Sequence, residues 1–349
     1  MKAKILELLR KRQDFVSGQE LCTILNVSRT AVWKAIRSLE SEGYVIEAVR
    51  NRGYRLVEDG SDAASYDIYS ANEIKSRLEE ASGVREVLFF DSIDSTNTEC
   101  ARRASSGAGS GLLIASDNQT AGRGRRGRNW TSPSGSNIYF SYMFRPDVSP
   151  SDAPMLTLLM SLSVCMAMEK ILEGRIYRTS GRKRSEKRNE MAPMIKWPND
   201  IVIDGKKCCG MLTEMNCESD YIGYVVIGVG INVRHQKFPK EIKATAITLE
   251  DAWKKPVPRS LLTAEILNIF GPMAKRFEEE KNLGFIRREY YDRLVNAGRK
   301  VRVLDPKGEY DGIARGINET GELLVETDDG KIKEVNSGEV SVRGIYGYV

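Results

Sequence analysis

Apolar residues in the first 57 positions recur at helical spacing in three places and then form two short strand-like runs. Ile5, Leu8 and Leu9 give the first predicted helix one apolar face. Ser17 and Glu20 have the three-residue spacing of a capping box, which predicts the start of a second helix. The first two helices are therefore predicted from local signals alone.

A third predicted helix begins after Ser28, which can cap it, and ends before Gly43. Its inward positions are Val32, Ile36 and Leu39. The strand-like runs 44–49 and 54–57 follow, joined by the basic turn Arg50-Asn51-Arg52-Gly53, where glycine supplies a positive φ. Three helices and a hairpin in this order predict a winged helix-turn-helix over residues 1–60.

Charge favours DNA as the partner of this predicted domain. Residues 1–60 contain eleven Lys/Arg and eight Asp/Glu, and the cations concentrate on the third helix and the hairpin turn, where phosphates would lie. A helix hairpin with a purely structural role is the alternative. The predicted DNA-binding residues are Ser28, Arg29, Thr30, Trp33, Lys34, Arg50 and Arg52.

Composition and turn signals divide the rest of the chain. Residues 58–65, rich in Gly, Ser, Asp and Ala, are interpreted as a linker. Mixed α and β patterns over 66–298 predict a large α/β domain, and short strand-like runs separated by glycine-containing turns over 299–349 are typical of an SH3-like β-barrel. Within the large domain, the basic insert 174–190 has seven Lys/Arg and two Glu and is interpreted as a solvated, flexible loop.

Composition also excludes several classes of protein. The chain of 349 residues is 41% hydrophobic and 29% charged with a net charge of +5, which is ordinary for a globular protein. Apolar stretches such as 154–168 are shorter than the roughly 20 residues of a membrane span, and residues 1–12 lack the apolar run of a signal peptide. We therefore expect no membrane segment and a cytoplasmic location.

The cysteines and the single histidine, His235, give no sign of a metal site or a catalytic triad. The six cysteines form no C-x-x-C pair, which argues against a Cys/His zinc site. Free thiols in a reducing compartment are expected. Cys208 and Cys209, in a strand after the Asp204-Gly205 turn, are expected to be buried as small apolar residues.

Residues 119–130 combine glycine and arginine in the string Gln-Thr-Ala-Gly-Arg-Gly-Arg-Arg-Gly-Arg-Asn-Trp. The string satisfies G-x-G-x-x-G, but a dinucleotide fingerprint must open a helix, and here the strand-like run 138–144 follows. Glycines let the backbone approach a ligand closely, and arginines offer planar donors to phosphate and carboxylate. We therefore predict a loop that binds an anionic ligand.

This loop resembles the ligand-binding loop of biotin protein ligases. Four further segments resemble motifs of that family: Asp94-Ser-Thr-Asn97, Lys196-Trp-Pro-Asn-Asp200, Gly210-Met-Leu-Thr-Glu214 and Gly228-Val-Gly-Ile-Asn-Val233. The resemblance covers nearly the whole chain and is to the bifunctional type that is also a biotin operon repressor. It implies an α/β (α+β) multidomain fold: a winged helix-turn-helix, a class II synthetase-like ligase domain with a mixed sheet, and a C-terminal SH3-like β-barrel.

The resemblance also implies the activity. Such an enzyme uses ATP and Mg²⁺ to activate biotin as biotinyl-5'-AMP and transfers biotin to a lysine of a biotin carboxyl carrier protein or carboxylase domain. It further implies binding to operator DNA as a homodimer that forms on binding biotinyl-AMP. The alternatives are a ligand-sensing repressor without ligase activity and a lipoate or octanoate ligase. The lipoate alternative is disfavoured because residues 122–130 and 196–200 resemble the biotin branch.

Residue roles follow from the same resemblance. Lys196 and Arg125 are the predicted catalytic residues, because a carboxylate can attack a phosphate only when nearby cations screen both anions. The biotin-binding residues are Ser95, Thr96, Asn97, Gln119, Arg123, Gly124, Arg125, Lys196, Gly228 and Gly230. The ATP-binding residues are Arg125, Arg128, Trp130, Lys196, Asn199 and Asn232, with Asp200 as a candidate metal ligand.

Each of these roles has a structural alternative. Lys196 can be a surface lysine at a strand end, and the arginines can form a solvated basic loop. Ser95 and Thr96 can cap a helix that begins near Asn97. Trp130 can serve the scaffold and leave ligand binding to its neighbours.

Overall fold

The computed structural model describes residues 1–12, 14–58, 67–179, 191–218, 221–305, 308–336, 341–344 and 349. Most of the predicted linker, 59–65, and most of the basic insert, 180–190, lie outside the described residues. The described chain forms an N-terminal helical domain, a central domain around a seven-stranded sheet, and a small C-terminal sheet.

The N-terminal domain has the predicted winged-helix elements. Its helices are α1 (Lys2–Arg12), α2 (Gly18–Leu25) and α3 (Arg29–Ser41), and its antiparallel hairpin pairs β1 (Ile46–Val49) with β2 (Gly53–Leu56). The predicted caps are present, since Ser17 Oγ accepts from the Glu20 amide and Ser28 Oγ accepts from the Ala31 amide. The apolar face of α1 differs slightly from the prediction, because Leu6 is fully buried and Leu8 only partly.

The central domain is built on a mixed sheet with the strand order β3-β4-β5-β9-β8-β7-β6. Its strands are β3 (Glu86–Phe90), β4 (Leu112–Ser116), β5 (Ile138–Phe144), β6 (Met194–Lys196), β7 (Asp200–Ile203), β8 (Lys206–Glu218) and β9 (Tyr221–Ile231). The pair β3–β4 is parallel, and the other neighbours are antiparallel. The mixed sheet predicted for this domain is therefore confirmed.

Helices cover both faces of this sheet. They are α4 (Ala71–Lys75), α5 (Thr96–Ser105), α6 (Ala153–Thr179), α7 (Leu249–Trp253), α8 (Arg259–Glu280) and α9 (Arg287–Arg293). Alternation along β4 separates the faces: Leu113 packs in the large core with α6 and α8, whereas Leu112 packs with Cys100 of α5. The cavity described below opens between the sheet and the loops at its edge.

Helix α6 corrects one prediction and explains another. The predicted loop at Gly174 is wrong up to Thr179, because the helix continues to that residue. By length and composition the helical stretch Pro150–Glu173 would pass as a membrane span, but 72% of its apolar window is buried inside the fold. Such burial is typical of a core helix, so this stretch is only weak evidence for a membrane segment.

The C-terminal strands form a small antiparallel sheet with the order β13-β12-β11-β10-β14. Their bounds are β10 (Lys300–Leu304), β11 (Tyr310–Ile317), β12 (Leu323–Glu326), β13 (Ile332–Val335) and β14 (Ser341–Gly344). The prediction of a small β domain is confirmed at the level of this sheet. The hydrophobic core runs without a break from the central sheet to residues of β10, β11 and β12.

A buried carboxylate joins the winged helix to the central domain. Glu73 of α4 is 3% exposed and accepts from Arg10 of α1, from the Tyr44 hydroxyl and from Arg77, all at 2.7–2.8 Å. Burial raises the pKa of Glu73, but Arg77 and Arg10 outweigh burial and hold the pKa below its ordinary value. The two domains therefore meet around a paired charge.

Candidate active site

A cavity of about 790 Å³ lies at the edge of the central sheet, within the size range of small-molecule sites. All fifteen residues predicted to bind biotin, ATP or metal line it. They are Ser95, Thr96, Asn97, Gln119, Arg123, Gly124, Arg125, Arg128, Trp130, Lys196, Asn199, Asp200, Gly228, Gly230 and Asn232. Residues that are far apart in the sequence thus share one site.

The glycine–arginine loop, residues 122–130, folds as a small hairpin over this cavity. The Trp130 amide donates to Gly122 O at 2.9 Å, and the Gly124 amide donates to Arg128 O at 2.7 Å. A Cβ at Gly122 would lie 2.5 Å from Trp130 O, so only glycine fits there. Because no regular helix follows, the dinucleotide interpretation is excluded, as the sequence indicates.

Two paired glycines leave room for the Trp130 ring. Gly210 and Gly230 stand opposite each other on β8 and β9. A Cβ at Gly230 would lie 2.6 Å from Trp130 Nε1, and a Cβ at Gly210 would lie 3.1 Å from Trp130 Cζ3. The indole Nε1 is buried and has no hydrogen-bond partner among the described residues. Trp130 therefore belongs to the scaffold of the site and also carries a buried donor that no described acceptor satisfies.

A chain of polar contacts links the residues predicted to bind biotin. Gln119 Oε1 accepts from the Thr96 amide at 2.9 Å and from Thr96 Oγ1 at 3.1 Å. Ser141 Oγ lies 2.7 Å from Thr96 Oγ1 and 2.5 Å from Asn97 Oδ1. Asn97 Nδ2 donates to Glu214 Oε2 at 2.7 Å. Ser141 and Glu214 were not among the predicted site residues.

Ser95 and Thr96 do not make the helix caps of the structural alternative. Helix α5 begins at Thr96, and its N-cap residue Ser95 makes no side-chain capping bond. Ser95 is buried against the cavity, and the Thr96 hydroxyl is bonded to Gln119. The capping alternative is therefore wrong for both hydroxyls, and both residues line the cavity.

The segment Lys196–Asp200 is a tight hairpin between β6 and β7, in which these two residues pair in register. Asn199 fastens the turn to β8 through Met211, since Asn199 Nδ2 donates to Met211 O at 2.9 Å. Asn199 Oδ1 also accepts from Arg125 Nη1 at 2.8 Å. Lys196 is 8% exposed and lines the cavity, so the surface-lysine alternative is wrong.

Arg125 lies deeper in the site than a solvated loop residue would. Burial lowers the pKa of its guanidinium, and the neighbouring charge of Arg126 lowers it further, while Asp200 raises it. A guanidinium keeps its charge in proteins, so the lowered pKa reports a desolvated cation. Arg125 and Lys196 thus place two cations around the same cavity.

A second lysine of the cavity, Lys207, was not predicted. Its Nζ lies 2.6 Å from Asp200 Oδ1 and 5.3 Å from the centroid of the Trp130 ring. A bulge in β8 shifts the pairing here, because Ile201 pairs with Cys209 while Val202 pairs with Lys207. The regular alternation of strand residues between the two faces therefore does not predict where the Lys207 side chain lies. The sequence signal for Lys207 was its position three residues before the family motif that begins at Gly210.

The remaining wall comes from β9 and the chain beyond it. Asn232 is buried, and its amide donates to Cys208 O at 2.8 Å. Residues 236–239 and several residues of 241–246 also line the cavity, and they were not predicted. Thr245 O accepts from the Lys207 amide at 2.7 Å, which holds this segment against β8. Cys208 and Cys209 are fully buried, as expected.

The winged helix presents the predicted DNA-binding residues to solvent. Ser28, Arg29, Thr30, Trp33, Lys34, Arg50 and Arg52 are all exposed. Trp33 on α3 is 51% exposed. Arg29, Arg50 and Arg52 line a groove of about 450 Å³ between α3 and the hairpin, and Arg52 lies 4.2 Å from the Phe15 ring centroid. The face therefore combines cations with an exposed aromatic residue.

Comparison with known proteins agrees with this organisation. An HTH domain matches residues 2–55, the biotin/lipoate A/B protein ligase family matches residues 89–232, and the biotin protein ligase C terminal domain matches residues 297–343. The bifunctional ligase/repressor BirA of Bacillus subtilis is 35% identical over 347 residues, 98% of each chain. The BirA of Escherichia coli is 30% identical over 342 residues, covering 97% of this chain and 96% of that protein.

A solved structure extends the likeness to the fold. The biotin protein ligase from Aquifex aeolicus in complex with biotin and ATP has a TM-score of 0.61 at 29% identity, covering 74% of this chain and 99% of that chain. A DNA-binding head, a mixed-sheet ligase domain and a small C-terminal sheet together define a biotin protein ligase of the bifunctional type. The chain belongs to the family of bifunctional biotin ligase/repressors. Its enzymatic class is biotin–[acetyl-CoA-carboxylase] ligase, which favours the biotin branch over the lipoate alternative.

Proposed function

We propose that the cavity joins biotin and ATP through Lys196, Arg125 and Lys207, acting as three cations around two anions. An oxygen of the biotin carboxylate forms a bond to the α-phosphorus, the bond from that phosphorus to the bridging oxygen breaks, and pyrophosphate leaves. Preorganised positive charge stabilises this crowding of anions. The observation that supports the proposal best is that all three side chains line one cavity.

Biotin occupies the end of the cavity near Thr96, Asn97 and Gln119 in this proposal. Hydroxyl and amide groups suit a polar ring, and Gly228 leaves room for the Asn97 side chain at this end. Gly124, Arg123 and Ser95 complete the wall of this end. Gly230 lies between this end and the ATP end, under the Trp130 ring.

ATP occupies the end near Trp130, Asn199 and Asn232, with Arg125 and Arg128 toward its phosphates. The buried Trp130 Nε1 supports this assignment, because an acceptor on the bound nucleotide would satisfy a donor whose isolation costs about 1–3 kcal/mol. Arginine suits this role because its planar fork matches phosphate oxygens.

Mg²⁺ fits this site as a companion of ATP rather than as a resident metal. No cluster of three or more His, Cys, Asp or Glu able to hold a metal occurs among the described residues. Asp200 offers a carboxylate in the cavity, but its Oδ1 lies 2.6 Å from Lys207 Nζ. Magnesium commonly uses one or two carboxylates with substrate phosphates, so Asp200 is the residue that would hold it. The ion would supply further positive charge to the phosphates.

The second step transfers biotin to the partner protein. The ε-amine of a lysine on a biotin carboxyl carrier protein or carboxylase domain attacks the acyl carbon, the bond from that carbon to the phosphate oxygen breaks, and AMP leaves. Biotinyl-AMP must be kept from water until the partner arrives. The glycine–arginine loop, already folded over the cavity, is suited to that shielding.

The regulatory part of the proposal concerns operator DNA. Two winged helices bind two half-sites of a palindrome only when they are held at fixed spacing, so a homodimer formed on binding biotinyl-AMP would couple ligand to repression. We propose this coupling, a cytoplasmic location, and the domain boundaries 1–60, 66–298 and 299–349. DNase footprinting of biotin-synthesis promoters with and without biotin and ATP tests it, and protection that ligand leaves unchanged would refute it.

The chemistry is tested by biotin-dependent exchange of labelled pyrophosphate into ATP. The proposal predicts exchange with biotin and none with lipoate. A repressor without ligase activity gives no exchange at all, and a lipoate ligase needs lipoate. The same assay therefore separates the proposal from both alternatives.

A further inference from the structure

Glu214 lies on β8 beside the cavity and has no role in the reaction described above. Its Oε2 accepts from Arg123 Nη2 at 2.7 Å and from Asn97 Nδ2 at 2.7 Å. Asn97 is buried at the start of α5, whereas Arg123 belongs to the glycine–arginine loop. One carboxylate oxygen therefore joins the loop, the strand and the helix.

Among the described contacts, two hydrogen bonds attach the glycine–arginine loop to the sheet and its turns. Arg123 reaches Glu214 on β8, and Arg125 reaches Asn199 in the β6–β7 turn at 2.8 Å. The two arginines are separated only by Gly124, yet their anchors lie on different elements. A loop held in this way cannot lift from the cavity without breaking one of the two contacts.

Asn97 is fitted closely into the same arrangement. Asn97 Oδ1 lies 2.5 Å from Ser141 Oγ. A Cβ at Gly228 would lie 2.1 Å from the same Asn97 Oδ1. Its Nδ2 has two acceptors, Glu214 at 2.7 Å and Leu212 O at 3.3 Å. Hydrogen bonds to charged groups are the stronger kind, so the carboxylate sets the orientation of this buried amide.

We infer that Glu214 is a positioning residue of the ligase: its carboxylate holds Arg123, and with it the biotin side of the loop, over the cavity. The inference rests on the proposed function of the cavity. In this arrangement the Arg123 guanidinium acts through Glu214, while Arg125 is the arginine that faces the reacting groups. Glu214 thereby governs how long the activated intermediate stays shielded.

A double-mutant cycle on the full-length enzyme tests this inference. The enzyme is loaded with biotinyl-AMP from labelled biotin and ATP, and release is followed in a chase with unlabelled biotin. Glu214→Gln and Arg123→Ala are each expected to speed release about three- to tenfold, as for a half-exposed charge pair, and the double variant no more than the larger single effect. KM for biotin is expected to rise more than kcat of exchange falls.

Two further variants make the cycle specific. Glu326→Gln is the matched control, because Glu326 is also a strand carboxylate paired with an arginine, Arg315, at 2.6 Å, but in the C-terminal sheet. It is expected to leave release unchanged. Glu214→Asp keeps the charge on a shorter side chain and is expected to fall between wild type and Glu214→Gln. Thermal unfolding of each variant checks that it is folded.

Several outcomes would overturn the inference. The inference is wrong if Glu214→Gln releases biotinyl-AMP at the wild-type rate, or if Glu326→Gln speeds release as much as Glu214→Gln does. It is also wrong if the effects of the two single substitutions add in the double variant, because Arg123 then acts without Glu214. A wild-type enzyme that loads no biotinyl-AMP would instead overturn the proposed function and this inference with it. A wild type that loads normally isolates the test to Glu214.

Discussion

Trp197 donates its indole hydrogen to Gly321 O at 3.1 Å and so ties the turn that follows Lys196 to the C-terminal sheet domain. Gly321 has a φ of +83°, and a Cβ there would lie 3.1 Å from Leu158. The C-terminal sheet domain thus contacts both the turn after Lys196 and helix α6. We therefore expect the C-terminal domain to influence the position of Lys196.

Replacement of Trp197 by phenylalanine is expected to lower pyrophosphate exchange more than the lost stability explains. The loss of one hydrogen bond and part of a buried ring costs about 1–3 kcal/mol of folding free energy. Trp253→Phe is the control, because Trp253 is also buried and its indole donates to Met191 O at 3.1 Å. Trp253 does not line the cavity. Equal loss of exchange in both variants, at equal melting temperature, would contradict the prediction.

Lys196→Ala and Lys207→Ala are each expected to reduce biotin-dependent exchange by about 10²–10³-fold, the usual effect of removing one stabilising group from a charged transition state. Lys206→Ala removes an exposed lysine next to Lys207 on the same strand and should retain activity. Initial rates at saturating biotin and ATP give the measurement. Full activity in Lys196→Ala would move the catalytic role to Lys207.

Gly230→Ala is expected to weaken ATP binding. The added Cβ would lie 2.6 Å from Trp130 Nε1 and 2.7 Å from Trp130 Cε2, so the ring must move. Overpacking of this kind costs about 1–3 kcal/mol. Gly109→Ala is the control, since a Cβ there meets nothing within 4 Å. KM for ATP in the exchange assay is the readout, and a KM equal to that of Gly109→Ala would refute the predicted displacement.

Arg50→Ala and Arg52→Ala are expected to weaken DNA binding and to reduce the slope of log K against log salt by about one for each lost phosphate contact. Exchange activity should be unaffected, because no residue of the hairpin, 46–56, lines the cavity. Lys11→Ala removes an exposed cation of α1 that already pairs with Glu7 and serves as the control. A salt slope that is the same in all three variants would remove these arginines from the DNA interface.

Glu73→Gln is expected to destabilise the protein by about 3 kcal/mol at neutral pH, because it removes the buried carboxylate of Arg10 and Arg77 and leaves them only the exposed Glu58. The pKa of Glu73 is held below its ordinary value of 4.5, so the stabilisation is present above that value and is lost as pH falls through the lowered pKa. Urea unfolding between pH 7 and pH 2 should therefore show the two proteins converging in acid.

The exposed pair of Glu47 with Arg55 provides the control for this prediction. Glu47→Gln should change the free energy of unfolding by about 1 kcal/mol or less at neutral pH. A wild-type advantage over Glu73→Gln that persists at pH 2 would show that the carboxylate acts through packing and not through its charge.

Local signals in the sequence were sufficient to predict the elements of the winged helix. The caps at Ser17 and Ser28 depend on neighbours three residues away, so they can be read from the chain. The motif residues were placed by resemblance to a family. Strand alternation alone would not have brought Lys196 and Arg125 to one cavity.

What the sequence did not reveal depends on contacts between distant segments. Lys207 reaches the cavity because a bulge shifts β8 against β7, and Glu214 gains its role from Arg123, which is 91 residues away. Composition was misleading at Gly174, because a basic, polar segment indicates solvent exposure and not backbone conformation. A loop was predicted from Gly174 onward, but helix α6 continues to Thr179.

Strand β8 runs along the cavity and contributes several residues to its wall. Lys207 and Glu214 stand seven positions apart on it, one beside the proposed phosphate end and the other beside the proposed biotin end. The Lys207 side chain reaches along the strand toward Glu214, since a Cβ at Gly210 would lie 2.9 Å from Lys207 Nζ. A single strand thus carries one charged residue toward each proposed end of the cavity.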